Sequence, residues 1–196
     1  MSIVLQSSGG GSVTVQEPTT ASNFTQTLPA GTGTVVVSGI NSAITAASAQ
    51  TASGSSVDFT NIPSWVKRIT VTFTDISFAA AGVSRIRLGI SSGLVTSGYV
   101  CTTTSLTNAP AITLASVTDG IAAVSTSAAA TVTTGQFIIV NVTSNTWQCN
   151  GFISRLADNN TTTSTGYITL GGTLDRLSLV ATTSTFDAGT INILYE

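Results

Sequence analysis

Residues 57–78 read VDFTNIPSWVKRITVTFTDISF, and this stretch decides the fold class. Its RITVTF segment alternates apolar residues with threonine, which is the pattern of a half-buried β-strand. Pro63 lacks an amide donor and restricts the residue before it, so we expect the strand to begin after this proline. Beyond Asp75 the apolar positions shift by one residue, to Ile76 and Phe78. The shift predicts a β-bulge or a strand end, because simple continuation would turn these two side chains to the polar face.

The same stretch gathers Trp65, Lys67 and Arg68 in a chain of which only 7% is charged. A cluster of this kind is a candidate binding site, but no chemically complementary partner accompanies it in the sequence. We therefore interpret Lys67 and Arg68 as contacts with a neighbouring subunit or with an acidic terminus such as Glu196. Pro63 then marks the point where a stem becomes a head. The side chains of this strand that we expect in the core are Ile69, Val71 and Phe73.

The composition of the chain indicates the all-β class. Its 196 residues are 42% hydrophobic, which is enough to fill an ordinary core, and helix formers such as Glu, Lys, Met and Arg are scarce beside Thr and Val. Short apolar alternations separated by turn residues predict an antiparallel β-sandwich that is jelly-roll-like. Beyond the opening stretch we expect strands at residues 86–90, 99–104, 112–117, 121–124, 137–143, 146–155, 167–170, 174–181 and 190–195.

Two dipeptides between or within these strands predict local irregularities. Ser144 and Asn145 separate two strand patterns by two residues, which is typical of a tight β-hairpin. Asn150 and Gly151 fall inside the returning strand, where we expect a β-bulge.

Two other strands have a predictable inner and outer face. Arg85 and Arg87 alternate with apolar residues, which indicates that they lie on a solvated strand face. In the last strand, the side chains that we expect to share one face are Ile191, Ile193 and Tyr195.

The first 56 residues lack the regular patterning of the rest. We predict an N-terminal attachment stem or linker over residues 1–56 and a β-sandwich domain over 57–196. Residues 40–47 carry some helical spacing, but their serines and threonines favour a strand or an extended linker. Strands as short as those in the stem are marginal alone and need a docking partner; the alternative is a flexible tail. The short apolar runs of the stem are residues 3–5, 13–15 and 35–37, and a Ser/Gly hinge separates the first two.

The charge pattern excludes some classes of partner. The net charge is −2 with six Lys and Arg residues, which does not supply the basic patch that a nucleic-acid binder needs. No apolar run approaches the roughly 18 residues of a membrane-spanning helix, and the first ten residues lack the features of a secretory signal. We expect a soluble protein that does not insert into membranes. Its low net charge favours association with other subunits.

The residues needed for common kinds of catalysis are missing or scattered. Without histidine, the chain lacks the commonest general base and the commonest zinc ligand. Asp119 and Asp158 fall in turn sequences, and Asp175 followed by Arg176 predicts an ion pair at a strand edge. The loop at Asp158 has too few carboxylates for a strong calcium site. We therefore predict no enzymatic activity and no catalytic, cofactor-binding or metal-binding residues. The eight carboxylates, which form no recognisable pair, are Glu17, Asp58, Asp75, Asp119, Asp158, Asp175, Asp187 and Glu196.

Cysteines and aromatic residues provide the remaining candidates. Cys101 and Cys149 have neither a histidine partner nor CxxC spacing, and for a protein assembled in reducing cytosol we expect free thiols; a disulfide between them is the alternative. Tyr99, Trp147 and Tyr167 fit a core or interface role, with stacking on a sugar as the alternative.

Four motifs occur in order along the chain and carry a family resemblance. They are DFTNIPSWVKRITVTF at 58–73, SSGLVTSGY at 91–99, SNTW at 144–147 and LDRLSLVATTSTFDAGTINILYE at 174–196. Together they resemble a C-terminal β-domain that is common in bacteriophage tail and fibre proteins. The sequence LQSSGGGSVTVQEPTTASNFTQTLPAGTGTVV, at 5–36, resembles the attachment end of such phage structural proteins.

The resemblance implies a virion protein that is assembled in the host cytoplasm as a homotrimeric fibre or spike. Its thin N-terminal stem would dock on a tail, baseplate or capsid protein, and its jelly-roll-like head would face a glycan or protein of the host surface. No catalytic residues are implied. Many relatives append this domain to much longer proteins, so the short stem argues against a long host-reaching fibre. The alternative within the same class is a capsid decoration protein or head fibre.

Overall fold

The structure is a computed structural model that describes residues 2–6, 8–16, 44–107, 111–129, 131–155, 157 and 159–196. The chain divides into two compact units, Met1–Val35 and Val36–Glu196. Each unit is described by itself below. The sequence-based expectations that lie outside the described residues are those for Glu17, residues 35–37, residues 40–43 and Asp158.

The N-terminal unit contains a single antiparallel pair among its described residues. β1 (Ser2–Gln6) and β2 (Ser12–Gln16) pair along their whole length, with Ser2 opposite Gln16. Gly10 lies in the turn between them with φ at +87°, a conformation that glycine adopts without steric cost. The two short strands expected here are confirmed, and part of the predicted hinge forms the turn of their hairpin.

Every regular element of the described C-terminal residues is a β-strand. The alternation of Val, Ile, Leu and Phe with Thr and Ser explains this, because such sequences fit a pleated surface that is buried on one face. The strands are β3 (Thr45–Ala46), β4 (Gln50–Thr51), β5 (Ser56–Phe59), β6 (Arg68–Phe78), β7 (Gly82–Ile90), β8 (Gly93–Leu94), β9 (Val100–Leu106), β10 (Ile112–Val117), β11 (Ile121–Ser127), β12 (Thr133–Thr143), β13 (Thr146–Arg155), β14 (Asn160–Thr169), β15 (Arg176–Ala181) and β16 (Phe186–Tyr195).

These strands form two antiparallel sheets whose inner faces share one hydrophobic core. The large sheet has the order β10-β9-β14-β13-β12-β6-β16-β3, with β4 also paired to β16. The small sheet has the order β11-β7-β15-β5, with β8 paired to β7. The chain passes repeatedly from one sheet to the other, for example from β5 to β6 and on to β7. The predicted all-β fold, an antiparallel sandwich, is confirmed.

β6 lies in the large sheet between β12 and β16 and contains the expected β-bulge. The register with β12 shifts between the partners of Phe73 and Ile76, and the register with β16 shifts nearby. Asp75, at the shift, has φ at +57°. The extra residue turns the second half of the strand so that both apolar runs face inward. The side chains of β6 that are at most 2% exposed are Ile69, Val71, Phe73, Ile76 and Phe78.

The β12–β13 hairpin agrees with one prediction and corrects another. Ser144 and Asn145 form the predicted two-residue turn, and Ser144 has φ at +40°. The bulge expected at Asn150 and Gly151 is wrong, because the pairing is continuous through these residues. Gly151 instead lies directly opposite Phe137, whose buried ring covers the glycine.

The described residues 44–56 belong to the sandwich rather than to a separate stem. β3 pairs with the C-terminal end of β16, and β4 pairs with its middle. Ala52, which follows β4, is completely buried in the core. The C-terminal unit therefore begins upstream of the predicted boundary between residues 56 and 57.

β14 is longer than its sequence pattern predicted. The expected strand covered residues 167–170, but β14 begins at Asn160 and includes the polar run TTTST. This run has no apolar alternation, and it forms a strand because β9 and β13 bind its two edges. Its inward hydroxyls find partners in the same layer, as between Thr162 Oγ1 and Ser105 Oγ at 2.8 Å.

The contact between Gly151 and Phe137 leads to a prediction about stability. A Cβ at position 151 would lie 2.0 Å from Cδ1 of the fully buried Phe137 ring, so Gly151→Ala forces a packed side chain to move. We expect the free energy of unfolding to fall by about 1–3 kcal/mol in urea denaturation. Gly171→Ala is the control, because its Cβ would meet no atom within 4 Å, and it should change stability by less than about 0.5 kcal/mol. Equal effects of the two substitutions would contradict this packing.

Candidate functional site

Arg85 and Arg87 do not form the solvated face that the sequence predicted. Both side chains are largely covered, at 15% and 17% exposure, and both pair with Asp119. Arg85 Nε donates to Asp119 Oδ1 at 3.0 Å, and Arg87 Nε donates to the Asp119 main-chain oxygen at 2.7 Å. The expectation is wrong because the turn before β11 carries a carboxylate over this part of β7. The arrangement ties the start of β11 to β7.

The pKa of Asp119 follows from this arrangement. Burial acts to raise the pKa of its carboxyl group, but the hydrogen bond and charge of Arg85, together with the charge of Arg87, outweigh burial and hold that pKa below its usual value. These three residues form ion pairs that connect β7 to the turn before β11, so the Asp119 carboxylate already has two arginine partners.

Two of the other described carboxylates form ion pairs with arginine. Asp175 pairs with Arg176 at 2.8 Å, as the sequence predicted. Glu196 pairs with the Arg68 guanidinium, so the contact expected between Arg68 and the acidic terminus is confirmed. The Lys67 ammonium lies 3.4 Å from Asn141 Oδ1. Within the part of the chain that the structure describes, no three Cys, Asp or Glu side chains come together as metal ligands.

Both cysteines are buried free thiols, in agreement with the sequence-based expectation. Cys101 and Cys149 both pair with Gly166, one on each side of β14. Adjacent strands are about 4.8 Å apart, which separates the two cysteine backbones by about 10 Å, beyond the reach of a disulfide. Burial raises the pKa of the Cys149 thiol, with a smaller effect from Cys101. Cys149 is therefore an inert core residue.

The three aromatic candidates separate into core and surface positions. Tyr99 is buried, and its hydroxyl bonds with the main chain of Leu88 and Val95; burial raises its pKa to about 12. Trp147 is 4% exposed, and its indole N–H has no partner among the described residues. A small cavity of about 110 Å³ lies beside Trp147. Tyr167 is 48% exposed on the outer face of the large sheet.

A larger cleft lies at the open side of the sandwich, between β4 of the large sheet and β5 of the small sheet. It has a volume of about 240 Å³, and we call it the Tyr195 cleft. The inner face of β16 is buried at Ile191 and Ile193 and becomes half-buried at Tyr195, and the last two of these residues line the cleft. The residues that line the cleft are Ala47, Ser48, Gln50, residues 58–62, Ile193 and Tyr195.

The Tyr195 cleft combines an apolar floor with a polar rim. Phe59, Ile62 and Ile193 are buried beneath it, and Tyr195 is half-buried. Trp65 is 42% exposed and packs against the Tyr195 ring, with centroids 6.0 Å apart, so the aromatic surface continues outside the cleft. Such a surface, with one apolar side and polar edges, is typical of small-molecule sites.

Hydrogen bonds hold the rim in place. Gln50 Nε2 donates to the main-chain oxygen of Asp58 at 2.8 Å, which connects the edges of the two sheets. The Ser56 hydroxyl donates to Asp58 Oδ2 at 3.2 Å. Asn61 follows with φ at +60°, a left-handed conformation that is uncommon outside glycine and is often found at functional sites. Asp58 and Asn61 are both exposed at the rim.

Comparisons with protein-family models, with curated proteins and with solved structures found no match. The described residues contain no helix that is long and apolar enough to span a membrane.

Sequence reasoning did not identify the Tyr195 cleft. The sequence places Asp58, Phe59 and Asn61 before the strand that begins after Pro63, and its alternation predicts only that Tyr195 shares a face with Ile191 and Ile193. The available signal was the polar dipeptide Thr60-Asn61 beside buried apolar residues. The opposite wall of the cleft, at residues 47–50, comes from the segment that we expected to belong to the stem. Nothing in the sequence therefore connects this wall to residues 58–62.

The Asp119 cluster predicts an acid-dependent contribution to stability. A carboxyl group with a folded-state pKa below the ordinary 3.8 stabilises the fold above that value, and loses the effect as the pH falls through the lowered pKa. Asp119→Asn should therefore lower the free energy of unfolding at neutral pH, by up to about 1 kcal/mol because the group is partly exposed. The difference from the unsubstituted chain should disappear in acid.

Urea denaturation at neutral and acid pH measures this difference. Asp58→Asn is the matched control, since its carboxylate contacts a serine hydroxyl instead of arginine. The difference in the free energy of unfolding between Asp119→Asn and the unsubstituted chain should not stay constant or widen in acid. Either result would show that the ion pairs do not cause the difference.

Proposed function

We propose that this chain is a structural protein of a bacteriophage virion: a small fibre that is attached through its N-terminal segment and presents the β-sandwich for binding to the host surface. The observation that carries the proposal is the organisation of the chain. A small N-terminal unit, Met1–Val35, precedes a sandwich with its own complete core, Val36–Glu196. The first matches the sequence that resembles a phage attachment end, and the second contains the four motifs that resemble the phage β-domain.

A second feature supports assembly into a homotrimer. Strands β9, β10, β12 and β14 of the large sheet contain no charged residue. Their outer faces, with that of β13, expose large apolar side chains, including Leu114 at 77% and Phe152 at 57%. An uncharged surface with exposed apolar groups favours contact with further copies.

Light scattering that gives a stable monomer at micromolar concentration would contradict the trimer.

The proposed attachment is tested in the particles of a phage that encodes this chain. Mass spectrometry should detect the complete chain in purified particles at low copy number. A variant that lacks Met1–Val35 should keep its β-rich circular dichroism, because the sandwich core is intact, but should be missing from the particles.

Two results would change the proposal. Truncated chains incorporated at the normal copy number would contradict N-terminal attachment. Hundreds of copies per particle, or positions on capsid symmetry axes, would identify a decoration protein or head fibre instead.

A further inference from the structure

We propose that the Tyr195 cleft binds one neutral sugar residue that carries adjacent hydroxyl groups. The inference rests on the proposed host-surface role and names the chemical class of receptor that this surface recognises. The ligand would lie with its apolar face towards Tyr195 and its hydroxyls towards Asp58 and Asn61.

The position and size of the cleft suit a small ligand. Its volume of about 240 Å³ lies below the roughly 300–1,000 Å³ of sites for drug-sized molecules, so a single ring is the appropriate size. The cleft is at the open side of the sandwich, where a terminal or branching sugar of a longer glycan has access.

The chemistry of the floor and rim matches the two-sided character of a sugar. A pyranose presents a patch of C–H groups on one face, which packs on an aromatic ring, and hydroxyls around its edge. Tyr195 and the adjacent Trp65 supply the aromatic surface. The exposed Asp58 carboxylate accepts hydrogen bonds from hydroxyls, while the Asn61 side-chain amide both donates and accepts them.

The rim is held before any ligand arrives, which lowers the cost of binding. Gln50 fixes the Asp58 backbone, and Ser56 orients the Asp58 carboxylate. Asn61 is held in its left-handed conformation between β5 and the buried Ile62, whose N–H donates to the Asp175 main-chain oxygen at 2.8 Å. Because these groups are already ordered, a weak sugar ligand does not have to order them.

Charge selects between classes of sugar. Among the described residues that line the cleft, Asp58 is the one charged residue. A carboxylate without a lining cation favours neutral hexoses and N-acetylhexosamines and repels acidic sugars.

Saturation-transfer difference NMR on the full chain tests this inference. The probes are the methyl glycosides of glucose, galactose, mannose and N-acetylglucosamine, with N-acetylneuraminic acid as the acidic probe. We expect at least one neutral glycoside to bind more tightly than the acidic sugar. Asp58→Asn, which keeps the shape of the side chain, and Tyr195→Leu should each weaken that binding about tenfold or more.

Matched variants keep the experiment decisive. Asp75→Asn and Tyr167→Leu change an exposed carboxylate and an exposed tyrosine outside the cleft, and both should bind as the unsubstituted chain does. Circular dichroism verifies that each variant is folded. The inference is overturned if no neutral glycoside binds, if the acidic sugar binds most tightly, or if the control variants weaken binding equally.

Failure here is distinguishable from failure of the proposed function. A chain that is present in virions but binds none of the neutral glycosides overturns the sugar site alone. A chain that binds one of them through this cleft but is missing from virions overturns the virion role alone.

Discussion

The β-bulge at Asp75 is the constraint on which the arrangement of the sandwich depends. β6 is eleven residues long and has neighbours on both edges, so any irregularity in it must be matched in β12 and β16. In β16 the match is Gly189, which has φ at +110° and lies so close that a Cβ would come within 2.7 Å of the Asp75 carbonyl oxygen. Two backbone distortions on the neighbouring strands β6 and β16 therefore fit into each other within the large sheet.

The bulge determines which side chains build the core. Without the extra residue, Ile76 and Phe78 would not follow Ile69, Val71 and Phe73 onto the inner face at this spacing. With it, Phe78 stacks on Phe186, with ring centroids 5.2 Å apart and an angle of 30° between the rings. The chain then turns into β7 of the small sheet, so the end of β6 joins the two layers.

The candidate site is a consequence of how the sandwich ends at its side. Ile191, Ile193 and Tyr195 continue one inward face along β16, but the cover above this face changes along the strand. At Tyr195 this face is only half-buried, and Asp58 on the edge strand β5 and Asn61 in the loop after β5 form a polar rim beside it. Tyr195, which has the sequence pattern of a core residue, therefore forms part of the floor of a cleft. The Trp65 ring packs against the Tyr195 ring and removes part of its apolar surface from water.

The sequence predicted features that depend on local pattern and failed where distant neighbours decide. RITVTF and the shift after Asp75 identified β6, its core face and its bulge, because alternation is a property of the strand itself. The N-terminal half of β14 was missed, since its threonines form a strand only when β9 and β13 supply both edges. Arg85 and Arg87 were misassigned because the carboxylate that covers them is Asp119, about thirty residues along the chain.

The role of Gly151 and the location of the Tyr195 cleft could not be predicted for the same reason. Gly151 is required by a ring on the neighbouring strand, and the sequence shows a glycine without showing that ring. The cleft joins Gln50, from a segment without clear patterning, to Asp58 and Tyr195. No periodicity relates these three residues; the pairing of β4 with β16 and the hydrogen bond from Gln50 to the Asp58 main chain bring them together.

The fit between Asp75 and Gly189 is tested most directly by comparing the unfolding free energies of Gly189→Ala and Gly54→Ala. Both glycines have positive φ, at +110° and +68°, but a Cβ at position 54 would meet no atom within 4 Å. Gly54→Ala should lose only the backbone contribution, about 1 kcal/mol. Gly189→Ala should lose that and about 1–3 kcal/mol more from crowding against the bulge. Equal losses would contradict the claim that the two distortions are packed against each other.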